Sequence, residues 1–322
     1  MSGLQEYIEL IEDLGRYQRN GQYAPYKPCL LLAIIQLIEQ GDILENKIWL
    51  SNHLKATFAR YVSQIPGWNP NNIHNPFYYL KNDGFWHLRP NVGQTRQLNS
   101  LMGSSRSPSG RQLYKLVDYA YFGGSLFNFL TQPDERESIR QTIIEKYLPN
   151  YRRDIENVLA KEHQIGQHRQ LLIQGVAEHP FSYPATPESI EENPIRGTAF
   201  RREIMRIYNH TCAVCRLHVA TVDGSSITVT DAAHIIPFSI SYNDDIRNGI
   251  SLCKLHHWAF DQGLISLSEG YKVRVSRLIF EEGPMEWQLS NLHNRNILLP
   301  SDEILYPAQE ALTWHDEHVF RK

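Results

Sequence analysis

Apolar residues at helical spacing mark residues 4–19 as one helix and residues 28–40 as another. The second carries the apolar run "CLLLAIIQLI" (29–38), with Pro28 suited to a first helical turn and Gly41 to a C-terminal stop. "KIWLSNHLKATFARYVSQI" reads as a short strand followed by a helix. "NPFYYLKNDGFWHLRP" sets Asn-Asp-Gly between two aromatic stretches, which predicts a hairpin with Phe77, Leu80, Phe85 and Leu88 in the core. "MGSSRSPSGRQL" is a Ser/Gly/Pro loop with two arginines that leads into a helix.

Residues 133–175 show amphipathic spacing for two or three helices, starting at Pro133-Asp134 and broken at Leu148-Pro149. "EHPFSYPATPESIEENP" (178–194) holds four prolines and several acids and reads as an extended linker. A different pattern begins at 196. It runs from a helix (198–208) through a Cys-X-X-Cys knuckle to "SSITVTDAAHIIP" as a strand. A helix from about 253 to 261 then ends at Gly263. Residues 276–322 are mixed and carry no interpretable motif. No internal repeat is visible.

The pattern suits an α+β protein of two domains: 1–160, a helical and Pro-rich linker 161–195, and 196–322. The 322 residues are enough for that number, and 42% hydrophobic with 21% charged residues is the composition of a folded soluble chain. The longest apolar run is too short to cross a bilayer. "MSGLQEYIEL" is acidic and lacks a secretory leader's basic start and apolar core. Of four cysteines, Cys29 sits in the apolar helix as a small hydrophobe, and the other three share one spacing pattern. That usage fits a reducing cytoplasm with metal chemistry and no membrane partner. The net charge of −3 argues against a uniformly basic nucleic-acid binder. Between His74 and Lys115, however, six basic residues face only Asp83, so a basic surface can exist locally.

Cys212-X2-Cys215 and Cys253-X2-His256 are two pairs at the spacing that lets a tight turn aim two side chains at one ion. Together they make a Cys3His set suited to tetrahedral zinc, with bonds of about 2.3 Å to sulfur and about 2.0–2.1 Å to nitrogen. Such an ion would staple a domain whose core is thin. His257 follows directly. Neighbours on a helix point about 100° apart, so it cannot serve the same ion. It shares a face with Asp261, one turn on.

His234 lies fourteen residues before Asn248, and Asn248 nine before His257. This His…Asn…His series, set between Cys-X-X-Cys and Cys-X-X-His, resembles the HNH endonuclease family over about residues 197–270. The resemblance implies a β-hairpin and helix around a divalent metal. It makes His234 the general base on water, a role suited to a group with an ordinary pKa near 6.5. Asn248 would hold the loop and orient that base. His257 would bind a catalytic Mg²⁺ or Mn²⁺, and Asp261 would be a second ligand or its support. Many members carry an acidic or histidine ligand immediately before the base, where this chain has Ala233. Asp231, roughly 6–7 Å further back, is the candidate to supply that carboxylate through a bulge or a water.

"YAPYKPCLLLAIIQLIEQGDI" followed by "NPFYYLKNDGFWHL" resembles the sulfur-binding domain of type IV restriction endonucleases that cut phosphorothioate-modified DNA, over about residues 5–130. Sulfur in place of a non-bridging phosphate oxygen is larger, more polarisable and less hydrated. A pocket can therefore meet it with apolar surface while Lys or Arg meets the phosphate charge. The resemblance implies Pro76 and Tyr79 as the apolar wall, and Asn75 and Tyr26 as the rim. Lys27 and Arg106 would carry charge to the backbone and base edges. A cation at Lys27, beside a helix N-terminus, also asks for an anion nearby.

The expectation is a modification-dependent endonuclease acting on double-stranded DNA. An enzyme that reads a methylated or hydroxymethylated base, with Tyr78, Tyr79 and Trp86 as stacking surfaces, stays open. So does a catalytically inactive DNA-binding protein. One nuclease site per chain implies a homodimer or two successive cuts.

Overall fold

The computed structural model describes residues 3–104, 107–182, 194–219 and 228–322. Arg106, most of the Pro-rich segment and the start of the strand expected from 225 lie outside the described residues. The chain folds as two compact units, Met1–Ala160 and Lys161–Val219 with Thr228–Lys322. The architecture is mixed α and β, with four separate two-stranded antiparallel ladders among the described residues.

The first unit opens with α1 (Gly3–Glu12), β1 (Gln18–Arg19), β2 (Gln22–Tyr23) and α2 (Tyr26–Glu39). The expected helix 4–19 therefore stops at Glu12. Asn20 and Gly21 both take positive φ (51° and 78°), the two-residue turn that closes a tight hairpin. Every residue of α2 from Lys27 to Ile38 is buried. This central helix packs against α3 (Asn52–Val62), α4 (His74–Tyr79), and, further along, α7 (Leu126–Thr131) and α8 (Pro133–Tyr147). Each Leu or Ile so buried contributes about 1.5–3 kcal/mol relative to exposure, which is what holds α2 at the centre.

Residues 75–90 do not form the expected hairpin. The first aromatic stretch is α4, continued by a 3-10 turn to Asp83, and Gly84 (φ 84°) turns the chain into β3 (Trp86–Pro90). α5 (Thr95–Met102) and α6 (Gly110–Leu116) follow, and β3 pairs with the more distant β4 (Val117–Phe122). The Trp86 indole N–H donates to the Phe77 carbonyl at 2.8 Å, so the two aromatic stretches do meet, as helix on strand. Phe77, Leu80 and Phe85 are buried, Leu88 partly so. The strand expected near 47 is a single bridge, Ile48 to Ala120.

α9 (Arg152–Glu178) begins in the first unit and continues into the second. The expected linker of 161–195 is corrected here for its described helical part. Glu162 binds Arg202, and Arg169 binds Glu203 at 3.0 Å with Glu203 fully buried, so this stretch is built into the second unit. The partners lie on α10 (Pro194–Ile207). Then come β5 (Thr230–His234), α11 (Phe238–Ser241), β6 (Gly249–Cys253), α12 (Lys254–Asp261), β7 (Ile265–Leu267), β8 (Val273–Val275) and α13 (Gln309–His318).

β5 and β6 pair from Thr230↔Cys253 to His234↔Gly249, and α12 starts on the residue after Cys253. Gly249 lies where a Cβ would run into Ile204 and Phe200 of α10, so the glycine lets the hairpin seat on that helix. The segment after 276, silent in sequence, contributes Leu289, Leu292, Ile297, Ala311 and Leu312 to this unit's core. Among the described residues no helix is long and apolar enough to cross a membrane.

Candidate active site and metal centre

The β5–β6 hairpin and α12 build two centres in the second unit. Cys212 and Cys215 come from the knuckle after α10. Cys253 ends β6, and His256 is in the first turn of α12. The four donor atoms lie within 4.8 Å of one another. The Cys212 Sγ is 3.4 Å and the Cys253 Sγ 3.1 Å from His256 Nδ1, and the Cys215 and Cys253 sulfurs are 4.0 Å apart. Zinc–sulfur bonds of about 2.3 Å separate tetrahedral sulfurs by roughly 3.8 Å, so the donor set fits such an ion. The cluster favours one thiolate: hydrogen bonds from Cys212 and Cys215 hold the Cys253 thiol far below its usual range. Burial pulls His256 down, but its hydrogen bonds with Cys212 and Cys253 outweigh that and push it up to about 9.

His257 turns away from this cluster. With Asp261, His234, Phe260 and His315 it lines a cleft of about 380 Å³. Its Nε2 lies 3.5 Å from Asp261 Oδ2, one helical turn on. Burial raises the Asp261 carboxyl above the usual carboxylate range, against the opposing pull of His257. An imidazole and a carboxylate on one face are a donor pair for a hard or borderline divalent cation whose other positions go to water and phosphate oxygens.

His234 is the last residue of β5, and its ring lies flat on Phe200, centroids 4.1 Å apart and planes 9° apart. Its Nε2 is 2.9 Å from Asp244 Oδ1. The side chain of Asp244 is 2% exposed, and its other oxygen lies 2.8 Å from Arg196 Nε. Asn248 is fully buried. Its amide accepts from the Ile236 N–H at 2.9 Å and donates to the carbonyls of Ile236 and Asn243 at 3.0 and 3.1 Å. Asn248 thus ties both ends of the loop after β5, and the side chain within hydrogen-bond distance of His234 is that of Asp244.

Asp231 does not reach this cleft. It binds Arg201 at 2.5 Å and Lys254 at 2.6 Å, and it is not among the residues that line the cleft with His234. The carboxylate expected to replace the residue at Ala233 is therefore not supplied from there.

Sequence reading also missed His315. Its ring stacks on Phe260 at 3.7 Å. Nε2 faces the Phe260 carbonyl at 3.2 Å and Nδ1 the Ser266 hydroxyl at 2.9 Å. A carbonyl only accepts, so Nε2 carries the proton and Nδ1 accepts from Ser266. Burial lowers this histidine to about 4, against the Phe260 hydrogen bond. Beyond it, Val319 joins the cleft wall, and the Arg321 N–H donates to the Gly263 carbonyl at 3.0 Å.

In the first unit Tyr26, Lys27, Asn75, Pro76 and Tyr79 all line one cleft of about 1000 Å³. Lys27 is corrected in its role. Its ammonium is buried 2.6 Å from Asp83 Oδ2, and the Gly15 N–H donates to Asp83 Oδ1 at 2.9 Å, so the anion it requires is internal. The Asn75 amide donates to Asn72 and accepts from Ser107. Tyr26 accepts from the Asn69 N–H at 3.1 Å and packs edge-on to Trp68. Sequence reading missed Arg16, stacked over Tyr23 and Tyr147, and Arg19, stacked over Trp68 at 5.0 Å; both line the same cleft. The "RNGQ" turn that presents Arg19 was the signal available.

Residues 212–268 match the HNH endonuclease family. Among solved structures the chain is similar to one described as a modification-dependent TagI restriction endonuclease, at 18% identity and a TM-score of 0.31. The match covers 40% of this chain and 40% of that one, so less than half of the relative's length is spanned. No curated protein matches the chain.

Proposed function

We propose that the protein is a modification-dependent DNA endonuclease, with an HNH nuclease centre in the second unit and a phosphorothioate-reading cleft in the first. The observation that carries the nuclease reading is that His234, His257 and Asp261, drawn from the strand and the helix of the matched segment, line one cleft while His256 serves another centre. In this reading His234 takes a proton from the water that attacks a phosphodiester. Asn248 holds the loop, and His257 with Asp261 would hold Mg²⁺ or Mn²⁺, which supplies Lewis-acid stabilisation of phosphate oxygens. Zinc at Cys212, Cys215, Cys253 and His256 would brace the scaffold.

The recognition reading rests on the cleft formed by Tyr26, Asn75, Pro76 and Tyr79. Its apolar wall suits a sulfur, and Arg16 and Arg19 supply the phosphate charge that Lys27, committed to Asp83, does not. A second reading is a modified base. A cleft of about 1000 Å³ bordered by Trp68, Tyr26 and Tyr79 has the size and rings for an extruded base.

One experiment separates them. The full chain with Mn²⁺ or Mg²⁺ is given a single duplex in four forms: unmodified, with one backbone sulfur, with 5-methylcytosine, and with 5-hydroxymethylcytosine. Binding and cleavage of the sulfur duplex alone supports the first reading, and preference for either modified base supports the second. Binding with no cutting of any duplex by fresh, metal-loaded protein removes the nuclease.

A further inference from the structure

We infer that Asp244 is the positioning residue for the base His234: it fixes the imidazole tautomer so that Nδ1 is the proton-accepting nitrogen, and Arg196 holds the second oxygen of Asp244. The inference rests on the nuclease reading and adds two residues that lie outside the His…Asn…His series.

The ring of His234 has little freedom. Phe200 covers one face nearly parallel, and Phe238 approaches at 5.6 Å. Its Nε2 is bound to Asp244 Oδ1. An ionised carboxylate can only accept, so the proton of the neutral ring sits on Nε2, and the lone pair is on Nδ1. When water attacks phosphorus, the new O–P bond forms as the bond to the leaving nucleoside oxygen breaks; that oxygen keeps the electron pair and takes a proton from solvent. The water's proton passes to Nδ1, and the imidazolium so formed lies beside a carboxylate.

Asp244 is held for this role from both sides. Its backbone neighbour Asn243 is anchored through its carbonyl to the buried Asn248 amide. Its second oxygen faces Arg196, whose guanidinium also donates to the Tyr242 carbonyl at 3.3 Å. The arginine charge offsets that of the buried carboxylate and fixes which of its oxygens faces His234. Asn248 therefore acts on the base through the loop and Asp244.

Arg196 makes Asp244→Asn diagnostic. The new amide will turn its carbonyl oxygen to the cation and its NH₂ to His234. Nε2 must then accept, which moves the ring proton to Nδ1 and blocks the base. With the sulfur-modified or other cleaved duplex, kcat should fall by roughly 10²–10⁴-fold, the scale seen when a base histidine is held in the wrong tautomer, with KM and DNA affinity unchanged. Nitrogen-15 spectra of the ring should show Nε2–H in the parent protein and Nδ1–H in the variant.

Parent-like cutting by Asp244→Asn, a matched loss of DNA affinity, or an Nδ1–H ring in the parent protein would each overturn the inference. If the variant is poorly folded, the parent spectrum still decides the pairing. Failure of the nuclease reading looks different: the parent protein itself cuts no duplex.

Discussion

His256 and His257 are neighbours in the chain, yet one imidazole is buried against the thiols of Cys212 and Cys253 and the other lines the cleft of His234. A single helical turn following a strand separates the Cys3His cluster from the cleft of His234, His257 and Asp261. The separation makes the two centres independently testable.

If the thiol cluster holds zinc, the purified chain should carry close to one zinc per molecule by elemental analysis. Cys215→Ser should reduce that content and lower the melting temperature. His257→Ala should leave zinc content unchanged while abolishing cleavage. Equal loss of zinc in both variants would merge the two centres.

Lys27 and Asp83 predict a stability effect in the first unit. Lys27→Ala leaves a buried carboxylate, 4% exposed, with its cation removed. Breaking such a pair costs about 3–5 kcal/mol, measurable by urea unfolding. Lys27→Met combined with Asp83→Asn keeps an acceptor for the Gly15 N–H and should recover most of the loss. Full stability in Lys27→Ala would show that the pair does not hold the cleft wall.

His315 predicts an acid-sensitive second unit. Burial holds it near 4 in the fold, against about 6.5 in an unfolded chain, so between these values the unfolded state binds more protons. Its stabilising contribution is intact above about pH 6.5 and fades as pH falls toward 4, by on the order of 3 kcal/mol in total. His315→Gln should flatten that slope in chemical denaturation curves taken across the window. An unchanged slope would mean another group titrates there.

Gly263 takes φ +67°, and a Cβ there would run into the Val319 carbonyl. Gly263→Ala should destabilise the second unit by about 1–3 kcal/mol and lower cleavage, because the displaced segment is part of the cleft wall. Thermal melts and cleavage rates read the two effects separately.

The candidate site was legible where chemistry is tied to short spacing. Cys-X-X-Cys, Cys-X-X-His and the i, i+4 pair of His257 and Asp261 are local, and helix geometry places them without knowledge of the fold. Asp244 was illegible because it sits in an irregular loop, ten residues from His234, and only the closure of that loop by Asn248 brings them together. Asp231 misled for the opposite reason. It is near in sequence, but Arg201 and Lys254, from two other elements, take its carboxylate.

In the first unit the core residues of 77–88 were legible from their aromatic content. Their partners were not, because β3 pairs across an intervening stretch with β4, and a pairing of that sequence separation leaves no mark in a short window. The misread N-terminal helix shows local turn chemistry overriding apolar spacing: Asn20-Gly21 folds the chain back within four residues.

The contact of Arg321 with Gly263, and of Val319 with the cleft, gives residues 319–321 a share in the groove that holds His234 and His257. A chain clipped ahead of His315 would lose one bank of that groove, and with it the wall that faces His234 and His257.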